Sequence, residues 1–168
     1  MEARQKAYIG LDPGAKGYMA IQCGGLTEFH AFEDADWYDL SKIFNDVADR
    51  YPNRVAVIED VKALHGASST TTFSFGMQKG MLLAFLCATN TPFHLVTPQK
   101  WQKCVWETSD KVLKAGSDTK ADTKATSIKC AKRLFPAIDF RKSPKCSKPH
   151  DGKCDAMLMS EYGRRNNL

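Results

Sequence analysis

Three short acidic segments contain the residues best suited to chemistry. The first ends an apolar run with Asp12, after which a proline and a glycine break the chain. The second ends a longer apolar run with Glu59, and the third holds Asp151 and Asp155 four residues apart. Because ligand sites in α/β sheets gather at strand ends, we expect the three segments to converge on one site.

Each carboxylate also has an ordinary structural interpretation. Asp12 would then be a turn residue, and Glu59 would be half of an ion pair, since an unpaired buried carboxylate is costly. Asp60 points to the opposite face of a regular strand, so Glu59 is the residue expected to face Asp12. Asp151 would cap the last helix and Asp155 would be a solvated acid, although two acids at this spacing repel each other on a bare helix.

Four carboxylates in one place stay ionised only with compensating positive charge. Their hard oxygen atoms suit Mg²⁺, with Mn²⁺ able to substitute. Two such ions can hold the attacking water and the leaving oxygen of a phosphodiester hydrolysis. The residues therefore predict a two-metal site that needs no small-molecule cofactor.

A zinc site is the competing interpretation. Cys146, His150 and Cys154 are spaced four residues apart, and Cys130 would supply a fourth ligand. Structural zinc sites usually contain pairs of cysteines two to four residues apart, which this pattern lacks. A cysteine nucleophile is disfavoured because no cysteine lies in an evident basic setting beside a base.

The first half of the chain alternates strand and helix patterns around the first two acids. Periodic apolar residues predict a helix at 36–51. Shorter apolar runs predict four strands, at 7–11, 17–23, 26–32 and 54–61. The last of these strands is apolar on both faces, as is typical of parallel pairing. This order favours an α/β, RNase H-like mixed five-stranded sheet with helices on both faces.

The second half supplies the fifth strand, the remaining helices and three polar loops. The strand is predicted at 92–96, and the loops at 63–72, 111–124 and 140–149. Helices are predicted at 73–89, from Pro98, from a cap at Thr123 or Thr126 to Leu134, and at 155–164. Gly76 and Gly80 lie on one face of the 73–89 helix, where we expect a close backbone contact.

Composition indicates one soluble globular domain over residues 1–168. Hydrophobic residues make up 43% and charged residues 26% of the chain, with a net charge of +5. The sequence has no apolar run long enough to cross a membrane and no evident signal peptide, so a cytoplasmic, non-secreted protein with reduced cysteines is expected. Basic residues outnumber acidic ones more than twofold between Lys100 and Lys153, which predicts a polyanionic partner there.

Lysines and aromatic residues provide candidate nucleic-acid contacts. The phosphate candidates are Lys62, Lys79, Lys100, Lys103, Lys120 and Lys124. Phe73 and Phe75 follow a polar loop and are candidates for stacking on an unpaired base, although core packing is favoured for both. Core packing is also expected for Trp37, Phe44, Phe85 and Phe135.

The motifs together resemble those of the RuvC-like Holliday junction resolvases of the RNase H-like superfamily. The similarity covers Ile9–Gly17, Val57–Val61, the Gly76 and Gly80 pair, and Asp151–Leu158, in the same order. The small size and the Asp-Gly-Lys-x-Asp-Ala ending look most like the bacteriophage versions. That would place the protein in a bacterial host cell.

The resemblance implies a homodimer that cuts symmetric strands of branched DNA with two Mg²⁺ ions. By motif, the metal ligands and catalytic residues become Asp12, Glu59, Asp151 and Asp155. Bacterial members space the last two ligands three residues apart, so here either Asp151 serves or His150 substitutes for it. An aromatic wedge of the bacterial enzymes corresponds to Lys62.

Two other functions remain open from the sequence. One is an RNase H-like nuclease that acts on RNA or RNA–DNA hybrids. The other is a non-catalytic junction-binding protein, which the four acids disfavour because carboxylates facing phosphate weaken binding.

Overall fold

A mixed five-stranded sheet is the centre of the fold in a computed structural model that describes residues 5–61 and 68–168. The strands, β1 to β5, are Ala7–Leu11, Tyr18–Cys23, Leu26–Ala31, Arg54–Glu59 and Phe93–Val96. Their order across the sheet is β3-β2-β1-β4-β5. The first three pair antiparallel, while β4 pairs parallel with both β1 and β5, so the predicted mixed sheet is confirmed.

Helices cover both faces of the sheet, as predicted. They are α1 to α5, at Trp37–Arg50, Ser69–Ala88, Pro98–Val105, Thr123–Leu134 and Asp151–Arg165, and a short 3-10 helix spans Thr108–Asp110. Helices α1 and α2 share one apolar core with the sheet, and α3, α4 and α5 share the other. Successive strand residues point to opposite faces, and β2, β4 and β5 each contribute side chains to both cores.

Helix α5 packs directly on β1 because β1 has no side chain at one central position. A Cβ added to Gly10 would lie 1.9 Å from the carbonyl oxygen of Ala156. The same helix is almost wholly buried from Ala156 to Gly163. This close contact fixes the position of the amino-terminal turn of α5 relative to the end of β1.

Three predicted helix starts were wrong, and in two of them a polar side chain caps the helix earlier. Helix α2 begins at Ser69 rather than residue 73, since Ser68 Oγ accepts from the Thr71 amide at 3.1 Å. Asp122, not Thr123 or Thr126, caps α4 by accepting from an amide at 3.0 Å. Helix α5 begins at Asp151 rather than Asp155, with His150 as its N-cap residue.

Some packing predictions for the aromatic and glycine residues were also wrong. Trp37 is 61% exposed and Phe73 is 71% exposed, so neither packs in the core. Among residues 5–61 and 68–168, nothing lies within 4 Å of a Cβ added to Gly76 or Gly80, so the expected close backbone contact is not made there. Among the described residues, no helix is both long and apolar enough to span a membrane.

Candidate active site

Asp12 and Glu59 lie at the same edge of the sheet because their strands run parallel side by side. Leu11 pairs with Ile58 in the register of β1 and β4, so each acid is the next residue along its strand. Both acids point to the face that α5 covers, by the alternation of strand residues. Asp60 points to the other face, where its carboxylate binds the Lys79 ammonium at 2.7 Å.

A tight turn follows β1 and holds Asp12 in place. The Asp12 amide donates to the Tyr18 carbonyl at 3.0 Å, and the Gly17 amide donates to the Gly14 carbonyl at 2.8 Å. A Cβ at Gly17 would lie 2.0 Å from the Asp12 carbonyl oxygen. The absence of a side chain at Gly17 therefore allows the chain to fold back tightly at the edge of the sheet.

Helix α5, which covers one face of the sheet, brings Asp151 and Asp155 to the same edge. The two acids lie one turn apart on α5, so they share a face of the helix. A Cβ at Gly152 would lie 2.6 Å from Asp12 Oδ2 and 3.0 Å from the Lys16 carbonyl oxygen. Gly152 therefore allows the first turn of α5 to pack directly against Asp12.

Electrostatic coupling shows that the four carboxylates form one group. Burial raises the pKa of Asp12 well above its usual value, and the charges of Asp155, Glu59 and Asp151 raise it further. Burial also raises the pKa of Asp155 to about 7, with further contributions from Glu59 and Asp151. Burial raises the pKa of Glu59 as well. The group thus disfavours its own full ionisation unless a cation enters.

Trp101 is a site residue that sequence reasoning missed. Its indole Nε1 donates to Glu59 Oε1 at 3.0 Å, and its side chain is only 1% exposed. The β5–α3 connection delivers it to the end of β4. In the sequence, a tryptophan on an amphipathic helix looks like a core residue. The one signal for a site role was its position in the first turn of α3, one helical turn after Pro98.

Lys124 contacts a different member of the group from Trp101. Its ammonium binds Asp151 Oδ2 at 2.6 Å while remaining mostly exposed. Burial alone would raise the pKa of Asp151, but the hydrogen bond and charge of Lys124 leave that pKa below its usual value. The pKa of Asp151 is thus lowered, whereas the pKa values of Asp12 and Asp155 are raised.

The donor set fits a hard divalent cation, although the side chains do not surround one point as they stand. Asp155 Oδ1 is buried with no hydrogen-bond partner among residues 5–61 and 68–168, which is costly for a carboxylate. Within the same residues, no three His, Cys, Asp or Glu side chains are grouped closely enough to enclose an ion. Charge and ligand chemistry thus favour Mg²⁺ or Mn²⁺, with side-chain rotation required to close the coordination.

His150 borders the same site. Its ring lies 4.9 Å from the Tyr18 ring, and its Nδ1 is 3.8 Å from Asp151 Oδ1. That nitrogen is buried and has no hydrogen-bond partner in the described parts of the chain. Asp151 and His150 are thus adjacent at the start of α5, and each has an oxygen or nitrogen atom that could bind a metal ion.

The alternative zinc ligands are not suited to the metal. Cys130 and Cys154 are fully buried, and burial raises the pKa of each thiol to about 12. Cys130 Sγ donates to the Val105 carbonyl at 3.4 Å. Zinc binds thiolates, so two thiols held protonated in the apolar core disfavour a zinc site there.

The predicted nucleic-acid contacts are spread over several surfaces. Lys100, Lys103 and Lys120 are exposed, whereas Lys79 is mostly buried and paired with Asp60. Phe73 projects into solvent and Phe75 is half-buried. Lys62 lies outside the described residues.

Comparison with solved structures shows the fold that this site belongs to. The chain is similar to T. thermophilus RuvC in complex with a Holliday junction substrate, with a TM-score of 0.59 and 9% identity over 95% of this chain and 96% of that one. It is also similar to the yeast mitochondrial Holliday junction resolvase, with a TM-score of 0.54 and 16% identity over 94% of this chain and 77% of that one. The chain thus has the RNase H-like fold of these proteins.

Sequence comparison adds no relative to this structural similarity. No protein-family model matches the chain. No curated protein matches it either.

Proposed function

We propose that this protein is a Mg²⁺-dependent endonuclease that cleaves four-way (Holliday) junctions and other branched DNA. The observation that carries the proposal is the group of four coupled carboxylates, on the ends of adjacent parallel strands and on the first turns of α5. Support also comes from the fold, which this chain shares with a RuvC that binds a Holliday junction.

Each residue has a distinct part in the proposed reaction. Asp12, Glu59, Asp155 and either Asp151 or His150 would hold the metal ions. Bound Mg²⁺ would lower the pKa of the attacking water and neutralise charge on the scissile phosphate.

The protein itself supplies orientation and a cation that is paired with Asp151. Trp101 restrains one oxygen of Glu59, leaving the other to face the site. The Lys124 ammonium lies at the open edge, where it can move from Asp151 to an incoming phosphate and stabilise its negative charge.

A homodimer is part of the same proposal, because a four-way junction has two symmetric strands to cut. Helix α2 supports it with an exposed face that lacks charge. Phe73 and Met77 are 71% and 45% exposed there, and Gly76 and Gly80 leave the backbone open between them. A contiguous exposed apolar face is often an interaction surface, and a second copy would cover this one.

Removal of the first-strand acid tests the proposed chemistry. Asp12→Asn should abolish cleavage of a synthetic four-way junction in Mg²⁺ while leaving junction binding largely intact. Asp39→Asn, the same change on exposed α1, serves as the control and should cleave normally. Full cleavage by Asp12→Asn, or by the unaltered protein in excess EDTA, would exclude the metal mechanism.

Substrate comparison separates the other functions. The unaltered protein should cut a junction faster than a linear duplex or an RNA–DNA hybrid under one set of conditions. Preference for the hybrid would point to an RNase H-like nuclease. Tight junction binding without cleavage of any substrate would point to a binding protein.

A further inference from the structure

The segment between α4 and α5 forms a basic loop, residues 141–149, whose two ends are closed. Arg141 and Pro149 form an antiparallel bridge. The His150 amide donates to the Phe140 carbonyl at 2.8 Å just outside that bridge. The chain therefore enters and leaves the loop at one point, directly before the acidic turn of α5.

The base of the loop is anchored in the core. Phe140 is only 2% exposed and packs edge-on against Phe29, with ring centroids 6.1 Å apart. The Lys153 ammonium lies 4.5 Å from the centre of the Phe29 ring. It also donates to the carbonyls of Asp139 and Arg141 at 2.8 and 3.2 Å. The loop is thus a preformed feature of the surface.

The loop itself carries four basic residues and no acid. Arg141 pairs with Asp139 at 2.8 Å, and Lys142 pairs with Glu33. Lys145 and Lys148 are both exposed, and neither has an ion-pair partner among residues 5–61 and 68–168. The Arg141–Pro149 bridge closes the loop two residues before Asp151, so the base of this basic loop lies at the start of the acidic turn of α5.

We propose that the basic loop is a docking surface for the phosphodiester backbone of a nucleic-acid strand next to the scissile phosphate. Lys145 and Lys148 would bind the phosphates, while Arg141 and Lys142 keep the loop in shape. Residues 141–149 contain no aromatic side chain, and Phe140 at their base is buried, so the loop itself offers no base-stacking group. Recognition there is consequently electrostatic and independent of base sequence.

The inference rests on the proposed function only for the identity of the strand. The charge complementarity between the basic loop and a phosphate backbone comes from the loop residues alone. Repulsion between the four acids and a phosphate backbone must be offset for a strand to approach them. An anchored cationic loop at their border provides this attraction without a further loss of loop entropy on binding.

A charge-matched pair of variants tests the docking surface. The double variant Lys145→Ala with Lys148→Ala and the single variant Lys42→Glu each lower the net charge by the same amount, and Lys42 lies on α1 across the sheet. Junction affinity is measured by fluorescence anisotropy against salt concentration. The double variant should bind roughly tenfold more weakly near 0.1 M salt, with a log–log salt slope shallower by about two. Lys42→Glu should keep the original slope.

A native cysteine allows the contact to be located directly. Cys146 lies between the two lysines, and a hydrogen bond from Ser143 holds the pKa of its thiol below the usual value. A junction with a disulfide-activated tether on a phosphate near the cut site should form a mixed disulfide with Cys146 rather than with exposed Cys87. Cys146→Ser should remove that product, whereas preferential reaction at Cys87 would overturn the inference.

The outcomes distinguish failure of the docking surface from failure of the proposed function. If the unaltered protein cleaves no junction but the double variant still lowers affinity and slope, the nuclease proposal fails and the docking surface stands. If the unaltered protein cleaves and the double variant keeps both affinity and slope, the docking surface alone is wrong. Similar thermal melting of all variants checks that they are folded.

Discussion

At the scale of single residues, the hydrogen bond from Trp101 engages only one of the two carboxylate oxygens of Glu59. Trp101→Phe keeps the ring in the core but removes the donor. Because loss of a residue that orients a metal ligand typically costs 10–100-fold, we expect cleavage to slow by about that factor. The loss should fall on kcat rather than on KM, as single-turnover and steady-state assays on a junction would show.

Trp106 provides the matched control for this substitution. Its ring contacts Trp101 edge-on at 6.0 Å, and its own indole Nε1 has no hydrogen-bond partner in the described parts of the chain. Trp106→Phe therefore removes no comparable bond and should leave kcat nearly unchanged. Equal losses in both variants would mean that Trp101 acts only through packing.

Protonation of Asp155 predicts how the metal-free protein responds to pH. Its folded-state pKa is about 7, whereas an unfolded Asp titrates near pH 4. The folded state therefore binds more protons between these values, and the free energy of unfolding falls as pH rises through that window. Asp12, whose pKa is also raised, contributes with the same sign.

Melting in EDTA tests this sign. Asp155→Asn should melt at least about 2–4 °C above the unaltered protein near pH 8, the shift that about 1 kcal/mol produces in a chain of this size. The difference should shrink toward pH 4. Mg²⁺ should raise the melting temperature of the unaltered protein more than that of the variant. A variant less stable at both pH values would contradict the assignment.

At the scale of elements, the contact between α5 and β1 decides where the last two acids lie. A methyl group at Gly10 would overlap the Ala156 carbonyl, so Gly10→Ala must push α5 away from the sheet. We expect a loss of about 1–3 kcal/mol or more in the free energy of unfolding, measured by urea denaturation. The displacement of α5 should also move Asp151 and Asp155. Cleavage activity should therefore be lower than that of the unaltered protein even under conditions in which the variant is fully folded.

Gly14 is the control for this overlap. The nearest atom to a Cβ added at Gly14 is 3.7 Å away, which is an ordinary contact, and the residue also lies near Asp12. Gly14→Ala should therefore leave the urea midpoint almost unchanged. A large loss there would show that any substitution near the site is destabilising, and the specific role of the α5–β1 contact would be refuted.

At the scale of the whole molecule, the exposed face of α2 determines the predicted assembly. If the proposed dimer forms through α2, Met77→Glu places a charge on that face and should convert it into monomers, as measured by light scattering after size-exclusion chromatography. Desolvating an unpaired carboxylate in an apolar interface is unfavourable. Coordinated cutting of both junction strands should then be lost.

Leu95→Glu controls for the general effect of adding a charge. Leu95 is 48% exposed on the edge strand β5, close to the 45% of Met77, but lies on the sheet and not on α2. This variant should remain dimeric. If the unaltered protein is a monomer at every accessible concentration, the proposed dimer is wrong while the single-site chemistry is unaffected.

The amino-acid sequence by itself determined the sheet, the order of its elements and the three acidic segments. Local information suffices for these features. Apolar runs that end in Asp12 and Glu59 already indicate buried strands with polar ends, and the spacing of Asp151 and Asp155 places them on one helical face. The sequence also indicated that Asp60 faces away from Glu59, because strand side chains alternate.

Only the tertiary structure decided which residues surround those acids and where helices begin. Trp101 meets Glu59 across 42 positions of chain, and no local pattern records such a contact. Helix starts depended on caps such as Ser68 and Asp122, where several neighbouring polar residues could serve equally well in sequence. Trp37 has core-like spacing yet lies in solvent, because periodicity identifies a face but packing by other elements decides whether that face is buried.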